Sequence, residues 1–311
     1  MSDHANRILA LLQPKRDAYL MTSGITANNG SGKVKTRSSA VHEDVTVALI
    51  DAHLQDAANT VALYPHCDDK HVVFSGLDLD EYDDLDELRS DICSRIKRWD
   101  APFIVVRSKS GGLHVLNVSP EPMLAKKQRV KLRQWAEAFG HPHCEVFPKQ
   151  DTVTGNSVGN PLNLMLAGNL SGDHRRCVYD EHGKPITNIE DALAYIEERR
   201  RILLPPPMAD GPPCLQRHAL ETVGDGERNT VIQAVAIYAK QAFSDEFREE
   251  LEDWNESHVS PPLSPQRIGM TFKSNQKNDY QYKCDDLARF CNKEMCRRRE
   301  FGIDGGLPGG A

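Results

Sequence analysis

The chain has 311 residues, 39% of them hydrophobic and 27% charged, with a formal net charge of −7, a balance ordinary for a globular protein. That charge excludes a surface coated with basic side chains, though not a local basic track on nucleic acid. No run approaches the roughly 20 apolar residues that cross a bilayer, so no membrane partner is expected, and the length suffices for one large core or two smaller ones.

The start, MSDHANRILALLQPKR, places acids and a histidine ahead of a brief apolar patch and does not read as a secretory signal. Ile8, Leu9, Leu11 and Leu12 predict a short amphipathic helix. With no such signal, the eight cysteines point to a reducing, cytoplasmic setting and not to a disulfide framework. Residues 25–38, ITANNGSGKVKTRS, read as a mobile polar loop. The NNGSGK inside it fails as a Walker A loop, because Ala27 stands where the first glycine belongs and Val34 follows Lys33. No ATPase motor is read in the chain, and a replicative helicase would be a separate domain or partner.

HEDVTVALIDAHLQ (42–55) predicts a helix, while TVALYP, HVVFSGLDLD, FIVVRS and LHVLNVS are strand candidates rich in Val, Ile, Phe and Tyr. Helices are expected from Glu121 to Phe139 and from Ile189 to Arg201. The irregular alternation favours an α+β sheet domain over a doubly wound one. Leu203–Pro213 holds five prolines in eleven residues, a stiff connector. Beyond it, 227–243, 245–258 and 284–300 look helical. The expected division is a catalytic domain over 1–204, a Pro-rich linker over 205–213, a small helical domain over 214–303 and a flexible tail over 304–311.

Asp78 and Asp80 end the VVFSGLDLD strand two residues apart, which places both carboxylates on one side of an extended chain. Such a like-charged pair is best tolerated around a divalent cation. Asp83, Asp84 and Asp86 follow the strand and read as solvated acids. In RSKSGGLHVLNV (107–118), Gly111 and Gly112 fit a hairpin that presents Ser110 and His114, groups able to meet phosphate oxygens. HCEVFPKQD (143–151) opens a short strand at Glu145 and stops it at Pro148, leaving Lys149 as a point charge for phosphate. GNPLNLML (159–166) offers Asn160 and Asn163.

The order DLD, SKSGGLH, EVFPKQ and GNPLNL resembles the archaeo-eukaryotic primase superfamily, in particular primase-polymerases of phages, plasmids and related mobile elements, over about residues 45–180. The resemblance implies a core in which an N-terminal α/β part adjoins a sheet of RNA-recognition-motif type. It implies catalytic, metal-holding roles for Asp78, Asp80 and Glu145, and nucleotide contacts from Ser110, His114, Lys149 and Asn160. The expected activity is primer synthesis on single-stranded DNA and primer extension from NTPs or dNTPs, by two-metal transfer with Mg²⁺ or Mn²⁺, in a monomer acting in a bacterial or archaeal cell. Alternatives are an extension-only repair polymerase, a metal-dependent nuclease and a catalytically silent nucleic-acid-binding module.

Cys284, Cys291 and Cys296 lie outside ordinary zinc-knuckle spacing, and Cys214 offers a fourth thiolate. The set resembles, distantly, the iron–sulfur part of the primase large subunit, so a [4Fe–4S] cluster, Zn²⁺ and unligated core thiols all stay open. Cys67, His71, His141, His143 and Cys144 form a rival set that reads better as loop residues. Arg228 and Asn229, with Tyr280, Tyr282 and Lys283, interleave aromatic and charged groups suited to nucleic acid or an initiating nucleotide. The arginine runs at 199–201 and 297–299 read as a helix-end charge and a solvated face.

Overall fold

The computed structural model describes residues 2–28, 34–55, 59–80, 84–108, 111–155, 157–168 and 176–303. The chain divides into two compact units, Met1–Leu204 and Pro205–Ala311. Unit one is α+β, with two antiparallel sheets, and unit two is helical. Among the described residues no helix is long and apolar enough to cross a membrane.

The first sheet has the order β2-β1-β3-β8, built from β1 (Tyr19–Asn28), β2 (Val34–Val41), β3 (Asn59–Leu63) and β8 (Leu162–Asn163). Most of the expected loop over 25–38 is therefore strand. The tip, 29–33, and the glycine-rich end, 304–311, lie outside the described residues. α2 (Val47–Gln55) packs on β3 of this sheet, and α1 (Ser2–Leu12) packs on α2. α2 starts five residues later than the sequence suggests, because the Thr46 hydroxyl accepts the Leu49 N–H at 3.2 Å and caps the helix there.

His53 on α2 is fully enclosed: its Nδ1 accepts from the Val61 N–H at 3.1 Å and its Nε2 donates to Met165 O at 2.9 Å. Burial, aided by the nearby Arg176 charge, holds its pKa at about 3. The neutral ring is the form that fits, while the unfolded ring takes up a proton below about pH 6.5. Stability is therefore fully present above that pH and lost as pH falls toward the folded value. Near pH 5 the expected slope from this residue approaches about 1.4 kcal/mol per pH unit. Urea unfolding at pH 7, 6 and 5 should show that slope in the parent and lose it in His53→Gln.

The second sheet has the order β10-β9-β5-β6-β4-β7. Its core comprises β4 (His71–Leu79), α3 (Leu85–Arg98), β5 (Ile104–Arg107), β6 (Leu113–Leu124), α4 (Ala125–Phe139) and β7 (Glu145–Phe147). A βαββαβ chain with the strands in the order β5-β6-β4-β7 is the split arrangement of RNA-recognition-motif sheets. The short strands β9 (Val178–Tyr179) and β10 (Pro185–Ile186) extend it. α3 follows from local rules: the Asp84 carboxylate accepts the Glu87 N–H at 3.0 Å, acids fill the first turn and Arg95, Lys97 and Arg98 the last. Asp84 is thus a helix cap and not merely a solvated acid. α4 begins four residues later than expected, because β6 continues through Pro120 and Pro122 as strand.

Both helices lie behind the sheet. Gln128 on α4 donates to Ser75 Oγ at 3.1 Å and Asn117 Oδ1 at 2.8 Å, and Arg89 on α3 lies 5.0 Å over Tyr179. Ser75, Asn117 and Tyr179 all share the Leu77 face by register. Trp99, Phe103, Trp135 and Phe139 pack there with ring centroids 5.5–6.3 Å apart. α5 (Ile189–Glu198) is shorter than expected. The arginines after it are tethers: Arg201 makes a two-pronged pair with Asp100, and Arg200 donates to Ser119 O and Pro120 O.

Unit two comprises α6 (Pro213–Ala219), α7 (Arg228–Phe243), α8 (Phe247–His258), α9 (Pro265–Lys277), a 3-10 segment over Cys284–Phe290 and α10 (Lys293–Arg297) around a core including Leu215, Val231, Val235, Leu251 and Ile268. α9 went unread because of its Pro265 and Gly269, yet Pro265 sits at the helix start behind the Ser264 cap, where proline is tolerated. The single helix expected over 284–300 is broken, with Leu287 leaving helical geometry and Asn292 capping α10. Arg299 is buried and donates to Gly211 O and Gln216 Oε1, each at 2.9 Å, so it clamps the proline-rich segment and does not belong to a solvated face.

Candidate active site

Three expected site residues form one row across the second sheet. His114 on β6 and Glu145 on β7 both lie directly opposite Asp78 on β4. Directly opposed residues of an antiparallel pair project to the same face. Register alone therefore gathers an imidazole and two carboxylates on the face turned away from α3 and α4. His114 Nε2 is 3.4 Å from Asp78 Oδ1, with the imidazole buried and the carboxylate 19% exposed. Lys149 Nζ closes on Glu145 Oε1 at 2.7 Å and lies 5.1 Å from the Phe147 ring centroid.

The row's floor needs glycine at two places. A Cβ on Gly76, two residues before Asp78, would meet Leu116 Cδ2 at 2.6 Å and Val115 O at 2.8 Å. One on Gly112 would meet Leu79 O at 2.7 Å and come 3.4 Å from Asp80 Oδ1. Asp80 itself is exposed, one residue past the end of β4. This placement sets Asp80 beside the 108–112 turn, whose Ser108 N–H donates to Gly112 O at 2.9 Å. Ser110 lies outside the described residues.

Asn160 is held a short way along the chain from this row, its Oδ1 accepting from Gln150 Nε2 at 2.5 Å. Two neighbours escaped the sequence reading. Ser108 is buried, with its Oγ 3.5 Å from where a Gly112 Cβ would stand. His66 is 1% exposed, has no hydrogen-bond partner on either ring nitrogen among the described residues, and lies by Gly159 near Gln150. Burial pushes its pKa down. The paired serines of SKS hinted at the first, whereas nothing local marks the second.

Among the described residues, no three carboxylate, imidazole or thiol groups are drawn together tightly enough to hold a metal ion as placed. The donor chemistry nevertheless suits a hard cation, since Asp78, Asp80 and Glu145 offer only oxygens. The rival set is dispersed into local contacts, such as Cys67 Sγ to His71 O at 3.3 Å and His71 to Asp68 at 2.8 Å.

In unit two Cys284, Cys291 and Cys296 lie within electrostatic reach of Cys214, while among the described residues no three thiols close tightly enough to hold a metal ion as placed. Burial first, then Cys296, Cys291 and Cys284, push the Cys214 thiol up to about 12, and Cys291 shares a hydrogen bond with Cys284. Cys296 Sγ accepts the Ile303 N–H at 3.2 Å. Tyr282 turns toward this cluster and donates to Phe301 O at 3.0 Å, while Arg228 is bound to Pro261 O at 2.7 Å and to Asp225. Asn229, Tyr280 and Lys283 instead line one cavity, joined by Arg267.

An RNA-recognition-motif sheet carrying acids on the face turned away from α3 and α4 is the arrangement of a primase-like nucleotidyltransferase core. Residues 18–202, more than half of the chain, match the family described as "TOTE conflict system, Archaeo-Eukaryotic Primase domain", and the chain belongs to that family. No curated protein matches the chain.

Proposed function

We propose that the chain is a template-directed primase-polymerase that starts primers on single-stranded DNA and extends them from nucleoside triphosphates. The observation that carries this reading is the His114–Asp78–Glu145 row with Lys149 at its end, inside the family-matched segment. Asp78, Asp80 and Glu145 would hold Mg²⁺ or Mn²⁺, which when bound lowers the pKa of the attacking hydroxyl and neutralises charge on the leaving pyrophosphate. His114, held in the row by its strand, would donate to phosphate oxygens of the bound triphosphate. Lys149, half-exposed and paired with an exposed Glu145, exchanges that weak surface partner for the triphosphate at little cost. Attack by the primer's 3′-hydroxyl on the α-phosphorus then forms one phosphodiester bond and releases pyrophosphate.

The deciding experiment supplies single-stranded template with NTPs and dNTPs separately and no primer. Dinucleotides and longer products support the reading. Products formed only with an added primer would replace it with an extension-only polymerase, and template degradation without nucleotides would replace it with a nuclease.

The nearness of Cys284, Cys291 and Cys296 to Cys214 supports a second element of the proposal, a structural metal centre on these four thiols that would draw them together when bound. Metal analysis and visible absorption of anaerobically purified protein separate zinc from an iron–sulfur cluster, and protein free of both metals would discard the centre.

A further inference from the structure

Unit two contains a cavity of about 360 Å³ between α7 and α9, closed on one side by the chain from Tyr280 to Leu287. That volume falls at the small-ligand end of ordinary binding pockets. Its lining is organised. Arg267 and Lys283 bring two cations, both exposed, and among the described residues neither forms an ion pair. The first turn of the 16-residue α7 opens onto the same space, and its cap residue Glu227 makes no side-chain capping bond. Asp286 is the single acid on the wall, so the lining is net positive in a chain whose formal charge is −7.

The other half of the pocket suits a flat ring. Tyr280 is 41% exposed, yet its hydroxyl is held by Ser274 Oγ at 2.9 Å, which limits the ring's freedom at the rim. Gln233 lines the wall beside it, and Ile237 gives an apolar floor. Asn229 Oδ1 accepts from Arg267 Nε at 3.0 Å, which orients the guanidinium and leaves its two terminal nitrogens available for a bidentate anion. An aromatic ring, two cations and side-chain amides around one cavity are the chemistry that grips a base and its phosphate.

We infer that this cavity binds one nucleotide unit, base on Tyr280 and phosphate on Arg267 and Lys283, independently of the Asp78 site. The inference goes beyond the polymerase reading, because it concerns residues outside the family-matched segment. The unit can come as a free nucleoside triphosphate or as one residue of a single strand. Both kinds of probe are therefore needed.

The test uses the full chain in EDTA, where divalent-dependent binding at the Asp78 row is suppressed. Fluorescent ATP and a short fluorescent oligodeoxythymidylate are titrated separately into the parent, Asp78→Asn, Arg267→Ala, Lys283→Ala, Tyr280→Phe and Tyr280→Ala proteins. Loss of a charge-assisted contact is expected to weaken binding about ten-fold for either cation variant. Asp78→Asn should bind as the parent does, Tyr280→Ala should weaken binding, and Tyr280→Phe, which keeps the ring but loses the Ser274 tether, should weaken it less than Tyr280→Ala. If only ATP binding falls, the site takes free nucleotide, and if oligonucleotide binding falls, it takes a strand residue. Unchanged affinity for both probes in the two cation variants would overturn the inference. Since the Arg267, Lys283 and Tyr280 side chains are solvent-exposed, a circular dichroism spectrum matching the parent's is expected for each of their variants. Arg267→Lys then serves as the check that charge without the planar fork restores only part of the affinity.

Discussion

Asp78→Asn is expected to lower nucleotide incorporation by about 10²- to 10³-fold while leaving the protein folded. Asp78 is the middle member of its row, opposite both His114 and Glu145, so its charge bears on both halves of the site. The amide has nearly the carboxylate's shape but carries no charge, so the strand pairing should persist while cation binding and the orientation of His114 are lost. Single-turnover incorporation on a primed template, with excess nucleotide, measures the effect. Urea unfolding should place the variant within about 1 kcal/mol of the parent. Glu145→Gln should cost less, because Glu145 is 57% exposed and already shared with Lys149. Parent-like incorporation by Asp78→Asn would remove the row from the mechanism altogether.

The second large effect concerns stability. Trp135→Ala should cost about 3–5 kcal/mol, the range for emptying a buried aromatic site. Trp135 is 4% exposed, lies among Trp99, Phe103 and Phe139, and donates its indole N–H to Leu204 O at 2.8 Å. The cluster fastens α4 to the back of the sheet, directly behind the strands that carry the site. Trp135→Phe keeps a ring in place but leaves Leu204 O without that donor, and should cost about 1–2 kcal/mol. Denaturant midpoints of the two variants separate packing from hydrogen bonding. Equal losses in both would assign the effect to the hydrogen bond and not to the rings.

Much of the candidate site is readable before folding because its parts are short and self-contained. DLD, SGGLH and EVFPK each place a chemical group at a strand end through local geometry, so Asp78, His114, Glu145 and Lys149 stand out singly. Pairing them requires register, which depends on how residues far apart in the chain align. Ser108 and His66 were missed for the same reason, since their importance comes only from what folds over them. Secondary structure failed where proline misled: Pro120 and Pro122 continue β6, and Pro265 begins α9.

The amino-acid order by itself determined the α+β class, the family resemblance and the identity of the acidic, imidazole and thiol groups, because each rests on neighbours within a few residues. Only the tertiary structure decided that Asp78, His114 and Glu145 share one row, that thiols scattered from 214 to 296 come within electrostatic reach of Cys214, and that Arg267 joins Tyr280 and Lys283 around a cavity while Arg228 and Tyr282 turn elsewhere. Strand register and helix packing are set by burying apolar faces over long sequence separations, and that balance is struck by the whole chain.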